Sequence, residues 1–129
     1  MAWTLDARIP VVIVADAAGL AAALTAGPKA AVLAGSPPPP KPEGAAVLAS
    51  FEPFAPHASG CGCCGGRSPA AAALDRLFQA RVRGACPWFE RVVALAGTLA
   101  AREAVAAALR NDAVAAARFR LAAPFAAAL

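Results

Sequence analysis

The stretch Ile9-Pro10-Val11-Val12-Ile13-Val14, followed directly by Asp16-Ala17-Ala18-Gly19-Leu20-Ala21-Ala22-Ala23-Leu24, decides the fold. The first part is a continuous apolar run rich in β-branched residues. A strand covered on both faces reads this way, as in a parallel sheet. The second part places Leu20 and Leu24 on one face of a short helix. Gly27-Pro28 then predicts its end, with Gly as a left-handed cap and Pro as a residue that cannot continue the helix. A strand that runs straight into a helix is the opening of a βαβ unit.

The rest of the chain continues the alternation. Ala30–Ala34 is a second, weaker strand and Ala45–Phe51 a third. Ser68-Pro69 opens a helix, Ser as cap and Pro at the first helical position. Leu74, Leu77, Phe78 and Val82 form its apolar stripe, and Gly84 closes it. Trp88–Ala96 reads as a fourth strand. Thr98 caps a further helix whose apolar face is Ala101, Val105, Ala108 and Leu109, ending at Asn111-Asp112. Ala113–Ala117 adds a helical turn, and Phe119-Arg120-Leu121 begins a last strand that Pro124 cuts short. Strands alternating with helices imply right-handed crossovers and a mainly parallel sheet of four or five strands with helices on its faces, a small three-layer α/β/α domain.

Composition is consistent with one such domain. The chain has 129 residues, 60% of them hydrophobic and 16% charged. A chain this apolar can bury a core, which excludes a disordered tail. Forty residues are alanine, so the core is expected to be thin and only modestly stable. The net charge is +4, but the ten arginines are scattered and do not alternate with aromatics. That pattern predicts solvated helix faces and no nucleic-acid surface. The longest apolar stretch, residues 9–27, carries Asp16, which would cost about 2.5–3.5 kcal/mol at the centre of a bilayer. No membrane span is expected, and the reading is a cytoplasmic protein with reduced cysteines.

Two segments stand outside the alternation. Ser36-Pro37-Pro38-Pro39-Pro40-Lys41-Pro42 can be neither helix nor central strand. It reads as an exposed polyproline-II connector over residues 36–42, either a stiff link or a docking site for a proline-binding module. The second is a cysteine-rich loop over residues 57–67, containing Gly60-Cys61-Gly62-Cys63-Cys64-Gly65-Gly66. Three thiols within four residues, flanked by glycines, can turn toward one point, and thiolates suit zinc, cobalt or cuprous copper. A fourth donor would be His57, Cys86, a water or another chain. Cys61 and Cys64 also form a Cys-x-x-Cys pair, which admits a redox reading. Cys86 by itself reads as a buried thiol beside Trp88.

The order Gly60-Cys61-Gly62-Cys63-Cys64, amphipathic helix, Phe89-Glu90-Arg91-Val92-Val93, then Leu99-Ala100 and Val105 resembles the CobW-like branch of the P-loop GTPases, the metallochaperone and cobalamin-biosynthesis proteins. The resemblance spans roughly residues 8–121 and is specific over 60–109. It implies a truncated P-loop-NTPase-like fold and a transition metal, zinc or cobalt, at Cys61, Cys63 and Cys64. The family's phosphate loop is Gly-x-x-Gly-x-Gly-Lys-Thr, whose amides and lysine hold the phosphates. Here Asp16 stands at its first glycine, Gly19 survives, and Ala22 and Ala23 replace the lysine and threonine. The family's glutamate falls on Leu95, and its switch aspartate and proline fall on Ala101 and Arg102. The resemblance therefore implies a degenerate loop, no bound nucleotide and no GTP hydrolysis. Expected partners are a second copy, a full-length GTPase or a metal-recipient protein. Apart from the resemblance, Glu52 and Asp16 are acidic residues placed near strand ends, where open α/β sheets bind ligands.

Overall fold

A computed structural model of the chain describes residues 6–53 and 67–122. The elements are β1 (Ile9–Val14), α1 (Ala17–Thr25), β2 (Ala30–Gly35), β3 (Ala45–Phe51), α2 (Pro69–Val82), β4 (Arg91–Leu95), α3 (Leu99–Asn111), α4 (Ala113–Arg118) and β5 (Phe119–Leu121). The five strands form one sheet in the order β3-β2-β4-β1-β5. Every pairing is parallel, with Val11 opposite Val92 and Leu33 opposite Ala94. The α/β reading therefore holds.

The helices divide unequally between the two faces. On one, Leu20, Ala23 and Leu24 of α1 pack on Val14, Val32 and Val93. On the other, α2, α3 and α4 cover Val11, Leu33, Val92, Ala94 and Phe119. Much of this second contact is alanine: Ala70 and Ala73 of α2, Ala101 and Ala108 of α3, and Ala115 of α4 are all buried. Small side chains let helices sit close to the sheet, so packing is achieved by approach more than by side-chain bulk. β2, the weaker strand on its sequence, has five consecutive buried residues, Ala30 to Ala34.

β3 carries an irregularity. Ala30 pairs with Ala45 and Val32 with Leu48, so two residues of β2 span three of β3. The extra residue resets the alternation. Ala45 and Leu48 face α1, while Ala46, Val47 and Ala49 face α2. As an edge strand, β3 would present free carbonyls to a neighbour. Two of its carbonyls accept side-chain donors instead: Lys41 Nζ reaches Ala45 O at 3.3 Å and Arg76 Nη2 reaches Ser50 O at 2.7 Å.

Several local expectations are corrected. The fourth strand begins only at Arg91, and Trp88 lies before it, 60% exposed. Arg81 lies over the indole ring at 3.7 Å, and Phe89 is buried beneath. Val82 turns out to solvent at 55% exposure, so the stripe of α2 is completed by Ala70, Ala71 and Ala73. Gly84 does close α2 in the left-handed region, at φ +68°. Gly27 does not do so for α1, whose C-cap is Ala26. A Cβ on Gly27 would instead press on the Arg91 guanidinium at 3.3 Å. That guanidinium donates from Nε to Pro28 O at 2.8 Å. The apolar stretch 9–27 divides into β1 and α1, and among the described residues no helix is long and apolar enough to cross a membrane.

Candidate functional site

β1 and β4 are neighbours, yet they send the chain in opposite directions. β1 leads through α1 on one face toward β2, and β4 leads through α3 on the other face toward β5. Where two adjacent strands diverge in this way, a crevice opens at their carboxyl ends. A cleft of about 300 Å³ lies there. Its walls are the turns after four strands: Ala15, Asp16 and Ala17 after β1, Gly35 and Ser36 at the end of β2, Pro53 after β3, and Leu95, Gly97 and Thr98 at the end of β4, with Ala101 of α3.

Two of these turns touch. Ala96 N donates to Val14 O at 2.9 Å, and a Cβ on Gly97 would stand 3.2 Å from Ala15 O. The amino ends of α1 and α3 are thereby brought to one place. Each is closed by its own cap. Asp16 Oδ1 accepts from Gly19 N at 2.7 Å, and Thr98 Oγ1 accepts from Ala101 N at 3.1 Å. Gly19 makes room for its cap, since a Cβ there would lie 3.2 Å from Asp16 Oδ1. The α1 end, where backbone N–H groups favour an anion, is thus filled by the chain's own carboxylate.

Among the described residues, the polar side chains of the cleft are one carboxylate, Asp16, and two hydroxyls, Ser36 and Thr98, and none of the lining residues is cationic. Leu95 and Ala101 supply apolar wall. Of the positions matched to the phosphate loop, Ala22 is exposed and Ala23 is fully buried against the sheet, so neither faces the cleft. Arg102 is exposed. Glu52 is exposed beside Pro53, outside the lining. Nothing in the sequence alone singles out Ser36 and Thr98 as cleft residues. Thr98 was legible as a helix cap, and its place in the cleft follows only from the strand order.

His57, Cys61, Cys63 and Cys64 lie outside the described residues. Among the described residues no group of three or more His, Cys, Asp or Glu could hold a metal ion. Cys86 is half-buried against the larger core cluster, between the end of α2 and the start of β4. Burial pushes its thiol pKa up, partly opposed by the charge of Lys41. A raised pKa keeps it a thiol and a poor nucleophile at neutral pH.

Neither a family model, nor a curated protein, nor a solved structure matches this chain.

Proposed function

We propose that this chain binds a transition metal ion, zinc or cobalt, through Cys61, Cys63 and Cys64, and does so without hydrolysing a nucleotide. The metal side of the reading rests on the density of thiols in Gly60–Gly66 and on the glycines around them.

The observation that carries the non-hydrolysing part is the bond from Gly19 N to Asp16 Oδ1. Phosphoryl transfer depends on positioning and on neutralising developing negative charge. At the turn after β1 the chain offers a carboxylate where a phosphate site needs donors and a cation. A nucleotide would have to displace Asp16 from its amide and then lie beside its charge.

The test uses the full chain purified under reducing conditions without a metal-binding tag. Titration with Co²⁺ is expected to give thiolate-to-cobalt charge-transfer absorption, and to release protons as the thiols ionise. Zn²⁺ should displace the cobalt and bleach the band. Cys63→Ser should abolish the band. GTP with Mg²⁺ should give no binding heat. Absence of metal uptake at micromolar concentration overturns the metal reading, and saturable GTP binding overturns the rest.

A further inference from the structure

We propose that Pro37–Lys41 is a preformed polyproline-II ligand for a partner domain whose groove has an aromatic floor and an acidic rim. The reading is independent of the metal proposal.

The conformation follows from covalent constraint. Each proline fixes its own φ near −65°, and each residue that precedes a proline is pushed to extended ψ. Pro37, Pro38, Pro39 and Lys41 all precede prolines, and the peptide bonds from Pro37 to Pro42 are trans. Such a run is a left-handed helix with three residues per turn and a rise of about 3.1 Å per residue. In cross-section it is a triangular prism, whose three edges hold every third residue.

Exposure divides along those edges. Pro39 and Pro42, three apart, are both half-buried. Together with part of Pro40 they line a groove of about 400 Å³ whose opposite wall includes Leu20 and Leu24 of α1. Pro37, Pro38, Pro40 and Lys41 are exposed. They make up the other two edges, Pro37 with Pro40 and Pro38 with Lys41. One edge therefore serves the fold, carrying the chain from β2 across to β3 where parallel strands ordinarily use a helix. The other two edges are exposed, Pro38 with Lys41 wholly outward and Pro37 with Pro40 turning from the groove margin to solvent, and a groove that reads a polyproline-II helix needs two.

Chemistry selects the partner. Proline rings present flat apolar surface with no backbone donor, which aromatic side chains cover well. Lys41, whose Nζ also donates to Ala45 O at 3.3 Å, sets a positive charge at one end of the ridge, with Glu43 beyond it on the side of the groove. The ridge is held at both ends, by Ser36 N donating to Phe51 O at 2.8 Å and by Ala45 N donating to Pro42 O at 3.2 Å. Little ordering entropy remains to be lost on docking.

The experiment titrates the ¹⁵N-labelled full chain separately with an SH3 domain, a WW domain and an EVH1 domain. Saturable shifts centred on Lys41 and its neighbours are expected with at least one of them. The double variant Pro38→Ala/Pro40→Ala should bind that domain at least about tenfold more weakly while keeping the parent's amide spectrum elsewhere. Lys41→Glu should weaken binding without touching a proline. The proposal is overturned if all three domains leave the spectrum unchanged at millimolar concentration. It is also overturned if both variants bind as the parent does, or if the shifts map to the groove beside Leu24 and spare Lys41.

Discussion

Arg67 grips Asp112 with two roughly parallel bonds, Nε to Oδ2 at 2.8 Å and Nη2 to Oδ1 at 3.1 Å. The pair ties the residue before the cap of α2 to the junction of α3 and α4. It extends into a chain of alternating charge. Arg67 Nη1 stands 3.8 Å from Asp75, and Asp75 accepts from Arg118 Nη1 at 2.6 Å. Asp112 has a second task, since its Oδ1 also accepts from Ala115 N at 2.9 Å and so caps α4.

Removing either partner should therefore cost more than an exposed ion pair would. Arg67→Ala leaves a carboxylate only 14% exposed without its cationic partner, with Ala115 N as its remaining donor, and a loss of about 1–3 kcal/mol is expected. The Arg67 hydrogen bond, with help from the cap, holds the Asp112 pKa below the usual aspartate range. The folded state thus favours the ionised form. Its contribution is complete above the unfolded value, about 3.9, and is lost as pH falls through the lowered folded value. Asp112→Asn should flatten that part of the acid-unfolding curve. Urea denaturation across acidic pH for the parent and both variants measures it, and a curve unchanged by Asp112→Asn would refute the assignment.

Leu74 and Val82 belong to one stripe on the helical wheel of α2 but not to one environment. Leu74 is fully buried and Val82 is 55% exposed. Leu74→Ala should cost about 2–5 kcal/mol, a large share of the stability of a thin core, and should show as a lowered melting temperature. Val82→Ala should change stability by no more than about 0.5 kcal/mol. Thermal melts of the two variants side by side give the comparison, and similar losses would mean that α2 is rotated from the arrangement described.

The strand–helix alternation was legible because each element has its own local signal. β-branched runs marked β1 and β4, and Ser68 and Thr98 marked helix starts by a side-chain oxygen that binds a backbone amide three residues on, whereas Asp112, legible only as the end of α3, caps α4 in the same way. The site was legible only in part. Asp16 could be placed near a strand end, but its bond to Gly19 and the meeting of its turn with Gly97 depend on β1 lying beside β4, a pairing of residues some eighty positions apart. Arg8, Arg76, Arg83, Arg102 and Arg110 are exposed as expected, but part of the arginine set departs from that expectation for a similar reason. As a scattered set they suggested solvated faces, whereas Arg67 and Arg118 pair with acids more than forty residues away and Arg81 covers Trp88. Long-range partners leave no periodic trace.

Gly27 and Gly84 should answer differently to alanine. Gly84 stands at φ +68° with open space where a Cβ would go, so the backbone alone resists a side chain. Gly84→Ala should cost about 1 kcal/mol, and Gly84→Asn should recover part of it. Gly27 has no such φ, and its Cβ would meet only the end of the Arg91 side chain. Gly27→Ala displaces that guanidinium from Pro28 O, but it also removes conformational freedom from the unfolded chain, worth about 0.4–1 kcal/mol in the opposite direction. The net change should be near zero. Chemical denaturation of the three variants checks the order.

Asp16 can be tested as both cap and guard. Asp16→Ala removes the acceptor for Gly19 N and should cost about 1 kcal/mol, while Asp16→Asn keeps an acceptor and should cost little. Asp16→Gly separates stability from access. It loses only a few tenths of a kcal/mol as a cap, yet it leaves Gly19 N–H free at the positive end of α1, in a cleft lined by hydroxyls and alanine. If the carboxylate is what keeps anions out, inorganic phosphate should raise the melting temperature of Asp16→Gly and leave the parent unchanged. Asp16→Asn should also stay unchanged, because its amide oxygen still occupies the donor. A phosphate response of equal size in the parent would show that anions reach the cleft past the carboxylate, and the guard would be no guard.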